Sequence, residues 1–163
     1  MIERERTYLI KNLPEDLHKH PVQEILDVYV MGQDGMAQIR ARKKGKTYEL
    51  TKKVPLDQNN TAIQKEETFE INEDEFDYLY TYLPFKIKKK RYAYKKGNMV
   101  YEIDIFDGEM KWLIMVDVEF NDEKTMKNFA PEAFLGKEIT NNNMFAWWIL
   151  CQKKFQEISE FLQ

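Results

Sequence analysis

Up to about Phe120 the chain alternates apolar and polar side chains with a period of two, interrupted at short intervals by turn residues. This is the pattern of strands joined by hairpins. Residues 2–10 form the first run, closed by Asn12-Leu13-Pro14, and residues 25–31 form a second, ending at Gly32-Gln33-Asp34-Gly35. Runs at 36–42 and 47–53 flank Lys43-Lys44-Gly45-Lys46, where glycine can take the positive φ of a tight hairpin. After the polar loop Asp57-Gln58-Asn59-Asn60, residues 65–71 predict a strand. Asn72 then caps a helix through Phe76, Leu79, Tyr80 and Leu83, which Pro84 ends. Runs at 87–94, 99–106 and 112–120, separated by Lys95-Lys96-Gly97-Asn98 and Asp107-Gly108-Glu109, predict a meander. Beyond them the period changes. Residues 122–128 predict a short helix, and the spacing of Phe145, Trp148, Phe155, Ile158 and Leu162 predicts a longer one over 143–162, packed on the strands.

A length of 163 residues suits one domain, 1–163, and no repeat or linker divides it. No apolar run approaches the length of a bilayer span, so no membrane partner is expected. The strand pattern starts at Ile2, which leaves no room for a leader and makes a cytoplasmic address the expectation. A net charge of -3, from 25 basic and 28 acidic residues, argues against nucleic acid as a partner. The single cysteine, Cys151, lies among Trp148, Ile149 and Leu150 and reads as a packed thiol. His18 and His20 read as exposed loop residues without a third zinc ligand, and Trp112, Trp147 and Trp148 as core or interface.

The balance of charge hides a segregation by strand. Glu3 and Glu5 share a face, as do Arg40 and Arg42, Lys89 and Arg91, Glu102 and Asp104, and Asp117 and Glu119, because side chains two apart point the same way. Each pair has one sign, and the opposite face carries residues such as Val116, Val118, Tyr101, Ile103 and Ile105. For any one pair, a solvated outer face is the simpler reading. As a set, like charges at i and i+2 repel and weaken the sheet unless an opposite charge binds between them. A closed barrel with the charges inward would supply that: guanidinium and ammonium groups on phosphate oxygens, carboxylates on Mg²⁺ or Mn²⁺, the metal between carboxylate and polyphosphate.

These residues resemble the CYTH domain, or triphosphate tunnel metalloenzyme family, in its bacterial short form. The family's opening Glu-x-Glu-x-Lys strand, followed by Leu-Pro, is similar to Glu3-Arg4-Glu5-Arg6-Thr7 with Leu13-Pro14, Thr7 replacing the lysine. Its Arg-x-Arg strand resembles Arg40 and Arg42, and its "y-x-L-T-x-K" strand Tyr48, Leu50, Thr51 and Lys53. Lys89-Lys90-Arg91, the run from Glu102 through Asp104 and Phe106 to Gly108, Asp117-Val118-Glu119-Phe120, and Phe134-Leu135-Gly136-Lys137-Glu138-Ile139-Thr140 follow in the family's order. The middle acidic strand departs from Glu-x-Glu, with Glu66 and Thr68, then Glu70.

The resemblance implies a mainly β fold (α+β), a closed antiparallel β-barrel tunnel of about eight strands with helices packed outside. It implies metal-dependent hydrolysis of inorganic triphosphate or a small organic triphosphate such as thiamine triphosphate or ATP. The alternatives are a class IV-type adenylate cyclase and a non-catalytic binder of polyphosphate or an organic phosphate. The implied metal is Mg²⁺ or Mn²⁺ on Glu3, Glu5, Asp117 and Glu119. Arg40, Arg42, Lys53, Lys89 and Arg91 would hold the phosphates, with Lys52 an alternative to Lys53. Glu5, Arg42, Lys89 and Arg91 would act in catalysis, and Glu66, Glu102 and Asp104 would support the site. The expected partner is a small triphosphate, and a homodimer is compatible with the sequence.

Overall fold

Strand order in the computed structural model is set by where hairpin turns fall and closed by one long-range pairing. The structure describes residues 1–32, 37–57 and 60–162, with backbone only at 37 and 38. Among the described residues nine strands run in chain order: β1 (Ile2–Ile10), β2 (Val22–Met31), β3 (Ala37–Lys44), β4 (Thr47–Asp57), β5 (Asn60–Glu70), β6 (Lys86–Lys96), β7 (Met99–Phe106), β8 (Ile114–Glu119) and β9 (Leu135–Glu138). The sheet order is β5-β4-β3-β2-β6-β7-β8-β1-β9, and β5 also pairs with β1. Strands β1–β8 therefore close an antiparallel barrel, and β9 adds to the edge of β1. The expected mainly β barrel, with helices outside, is what forms.

The turns follow the local chemistry. Gly45 and Gly97 sit at φ +61° and +59°, in the left-handed region that the β3–β4 and β6–β7 hairpins need. The residues expected to turn at 33–36, with Met36 at a strand start, and Gln58 and Asn59 of the expected loop lie outside the described residues. Helix α1 (Glu73–Tyr82) starts on a reciprocal cap: the Asn72 side chain accepts from Glu75 N and the Glu75 carboxylate accepts from Asn72 N. Leu83 ends it ahead of Pro84.

Several boundaries differ from the sequence pattern, among them the end of β4, which runs on to Asp57 rather than stopping at 53. β2 starts at Val22, and β5 starts at Asn60 rather than 65. The extra residues of β5 close the barrel, through Glu3↔Gln64 and Arg4↔Ile63 as well as Ile2↔Lys65. β8 starts at Ile114, because a turn over Gly108–Met110 leaves Trp112 exposed at φ 91° before the ladder begins. The single helix expected over 143–162 is instead a series of short turns. These include α3 (Trp147–Leu150) and α4 (Phe155–Ile158), with α2 (Glu123–Lys127) earlier in the chain. Lys154 is extended between α3 and α4. Each short turn can then lower its own apolar side chain onto the barrel, as Phe145, Leu150 and Ile158 do.

The apolar residues form three groups. On the outer face of β1 and β6–β8, Tyr8, Tyr101, Ile103, Val116 and Val118 are covered by Phe120, Met126 of α2 and Leu135. On the outer face of β2 and β3, Val28 and Ala41 lie under Phe76 of α1. The third group combines Leu9, Tyr29, Ile87, Phe106 and Met115 with Phe145, Leu150 and Ile158 of the C-terminal segment. Their parity places those five strand residues on the same side as the charged pairs, so they close one end of the lumen. β9 reaches β1 because Gly136 permits close approach: a Cβ there would lie 3.0 Å from the Leu9 carbonyl oxygen.

Of the single-residue readings, Cys151 and His18 stand and His20 does not. Cys151 is a packed thiol whose Sγ donates to Trp148 O, and burial pushes it up to about 12, which removes thiolate chemistry. His18 is exposed as expected, but His20 is half-buried, because its ring packs on Tyr94 at 4.6 Å and its Nδ1 accepts from Lys95 N. No helix of the described residues is long and apolar enough to cross a membrane.

Phe76 is 1% exposed and supplies the contact of α1 with the barrel wall. Phe76→Ala is expected to destabilise the protein by about 3–5 kcal/mol in urea unfolding, while Tyr78→Ala, on the exposed side of the same helix, stays within about 0.5 kcal/mol.

Candidate functional site in the barrel lumen

The side chains that alternation places opposite the apolar face meet inside the barrel. The register β1–β8 sets Glu5 against Glu119 and Thr7 against Asp117, and β7–β8 sets Glu102 against Asp117. On the other side of the lumen β2–β3 sets Asp27 against Arg42 and Tyr29 against Arg40, and β4–β5 sets Lys53 against Glu66. Acidic residues therefore concentrate on β1, β7 and β8, and cations on β3, β4 and β6.

Glu3, Glu5 and Glu119 each offer an oxygen, and these oxygens lie within 4.8 Å of one another. Like charges directly across a ladder repel, so three such carboxylates form a place that a positive ion would relieve. Burial first, then the charge of Asp117, pushes Glu5 well above the usual carboxylate range. Partial burial, with Glu102 and Glu3 adding, raises Glu119. An all-oxygen donor set of this kind fits a hard divalent cation such as Mg²⁺ or Mn²⁺. Asp117 is not in this group, because Thr7 Oγ1 donates to its Oδ1 at 2.9 Å and Arg91 donates to its Oδ2 at 3.0 Å. Burial is the main reason that its carboxyl is raised, with Asp104 and Glu102 adding and Arg91 opposing.

The cations are held in turn by carboxylates. Arg42 donates from Nε and Nη2 to the two oxygens of Asp27, at 2.7 and 2.8 Å. Burial alone would raise Asp27, but Arg42, Arg40 and Lys89 outweigh it and hold the carboxyl below its usual range. Arg91 donates to Glu102, Asp104 and Asp117, and Lys89 donates to Asp104 at 2.6 Å. Glu102 and Asp104 thus stand behind the cations of β6. Lys53, not Lys52, points inward, against Glu3 at 2.5 Å and Glu66 at 3.2 Å, while Lys52 is exposed. Burial opposes the charge on Lys53, but Glu5 and Glu3 raise it overall. Thr68 donates to Glu66 and bonds Thr51 across the ladder, and Glu70 is exposed at the strand end. The structure brings every one of the twelve expected site residues to the lumen, with Asp117 set back from the three-glutamate group.

Three lumen residues escape the pair pattern. Asp27 is fully buried and is the partner of Arg42, yet it stands alone in an apolar run, Ile25-Leu26-Asp27-Val28-Tyr29. Among the described residues the buried Tyr29 hydroxyl has no hydrogen-bond partner, nor has Nε of Arg40 across the ladder, which lies 3.9 Å from Asp27 Oδ1. Tyr29 shares the parity of Asp27, which is the only signal it leaves in the sequence. Trp147 lies over Lys89, with its ring centroid 3.7 Å from Nζ, and nothing local links the two.

No family model matches the chain. The inorganic triphosphatase of Nitrosomonas europaea is 26% identical over 148 residues, covering 89% of this chain and 93% of that protein. The solved structure of the inorganic triphosphatase NE1496 aligns with a TM-score of 0.66 at 22% identity, covering 91% of this chain and 93% of its own. A conserved hypothetical protein from Pyrococcus furiosus aligns with a TM-score of 0.57 at 26% identity, over 77% of this chain and 82% of its own. With an eight-stranded barrel that turns charges of both signs inward, these likenesses show that the chain has the CYTH-like triphosphate tunnel fold and is a distant homologue of the Nitrosomonas inorganic triphosphatase.

Proposed function

We propose that the protein is a divalent-metal-dependent triphosphatase acting on inorganic triphosphate or a small organic triphosphate. The observation that carries this reading is the meeting, in one lumen, of a three-carboxylate group with a wall of cations whose donors are not all spent. The distant homology to an inorganic triphosphatase supports the same chemistry. Glu3, Glu5 and Glu119 would hold Mg²⁺ or Mn²⁺, with Asp117 behind them. When bound, the metal supplies positive charge that neutralises the triphosphate and polarises its oxygens.

Arg40, Arg42, Lys53, Lys89 and Arg91 would hold the phosphates. The arginines suit bidentate contacts, and the lysines act as point charges on the negative charge that develops in transfer. Tyr29 Oη and Arg40 Nε, which make no hydrogen bond among the described residues, would donate to a phosphate oxygen or to the water that attacks it. Asp27 keeps the Arg42 fork in one orientation, and Glu102 and Asp104 do the same for Arg91, so these cations need little reorganisation when phosphate enters. Glu5, beside the metal, would also orient the attacking water.

Phosphate release from tripolyphosphate with Mg²⁺ or Mn²⁺, with ATP assayed alongside, tests the reading. Glu5→Gln and Arg42→Ala are each expected to lower kcat/KM by about 10²-fold or more. Equal rates in all three proteins would remove these residues from the mechanism. Triphosphate binding without turnover in the native chain would favour a binder instead, and cyclic AMP from ATP a cyclase. Chelation with EDTA is expected to abolish phosphate release, and added Mg²⁺ or Mn²⁺ to restore it; persistence of activity in the chelated protein would contradict a metal on the glutamates.

A further inference from the structure

Lys89 is fully buried, and the carboxylate that accepts its hydrogen bond is shared. Asp104 Oδ2 accepts from Lys89 Nζ at 2.6 Å and from Arg91 Nη2 at 2.6 Å, while Asp104 Oδ1 accepts from Arg91 Nε. One negative charge thus serves two cations. On the remaining side of the ammonium lies an aromatic wall. The Trp147 ring centroid is 3.7 Å from Nζ and that of Phe106 is 5.8 Å away, with the two rings stacked at 15°. Trp147 opens α3, and its position is anchored by Phe145 and Leu150, both buried against the lumen end.

We propose that Trp147 is a positioning residue of the candidate site: its indole face, delivered by the C-terminal segment, holds the Lys89 ammonium in place and in its cationic form for contact with phosphate. The inference rests on the reading of Lys89 as a phosphate-binding cation. An indole face attracts a desolvated cation more strongly than the other aromatic side chains do. That attraction opposes the burial which, together with Arg91 and Arg42, draws Lys89 down to about 8 against the pull of Asp104 and Asp27. Asp117 on β8 also lies within electrostatic reach of Lys89. The last part of the chain, remote in sequence from the charged strands, then belongs to the site and is more than an outer cover.

The test follows Lys89 by heteronuclear NMR titration of its side chain in the full-length protein, beside KM and kcat for tripolyphosphate across pH. Trp147→Leu keeps an apolar side chain and removes the π face. Its Lys89 midpoint is expected to fall by about one pH unit or more. KM should rise at pH 7.5 while remaining near the native value at pH 6, with a smaller change in kcat. If Trp147→Leu does not fold, native protein labelled with tetrafluorotryptophan retains the ring's shape and weakens its face. The midpoint is expected to fall there too. An unchanged Lys89 midpoint in either protein would overturn the inference. Absence of turnover in the native chain would sink the triphosphatase reading alone, since the titration needs no activity.

Discussion

Burying many charges inside a small barrel is the constraint on which the rest of this structure depends. Each ion taken out of water carries a penalty of several kcal/mol, which only good partner geometry can offset. The lumen meets that demand by register. Asp27 lies across from Arg42, Lys53 across from Glu66 and Arg91 across from Asp104, so oppositely charged groups touch without loops having to position them. Where the register instead opposes Glu5 to Glu119, the protein leaves a repulsion standing, and that is where the carboxylate oxygens cluster. The same ladder that holds the barrel closed therefore separates a closely paired region from one where three carboxylates meet with Lys53 as the nearby cation.

The apolar residues are arranged around this charged interior. Because inward parity is occupied by ions over the middle of the strands, apolar burial has to come from outside the barrel and from one end. Helix α1 covers β2 and β3, the segment around Met126 and Leu135 covers β1 and β7–β8, and the C-terminal turns fill the end lined by Leu9, Phe106 and Met115. The last of these places Trp147 against Lys89, so packing and the chemistry of the lumen share a boundary.

Much of this was legible in the sequence because its signals were local. Period-two alternation located the strands, and pairs such as Glu3 with Glu5 or Arg40 with Arg42 located the inner face. Glycines at 45 and 97 marked the hairpins, and Asn72 marked the start of α1. What escaped was set by distant contacts. Residues 60–64 (Asn60-Thr61-Ala62-Ile63-Gln64) follow a polar loop and show no clean alternation, but become strand by pairing with β1. The spacing over 143–162 is helical, yet the chain breaks into short turns that each find the barrel end. Asp27, a lone charge in an apolar run, has meaning only beside Arg42, and the pairing of Trp147 with Lys89 leaves no local trace.

Diffraction at the manganese absorption edge, from crystals grown with Mn²⁺ and a methylene-bridged triphosphate analogue, tests the central claim most directly. The account predicts anomalous density between Glu3, Glu5 and Glu119, with the analogue's phosphates reaching from that ion to Arg40, Arg42 and Lys53. Manganese and analogue bound only on the barrel's outer surface, with the lumen charges still paired among themselves, would contradict it.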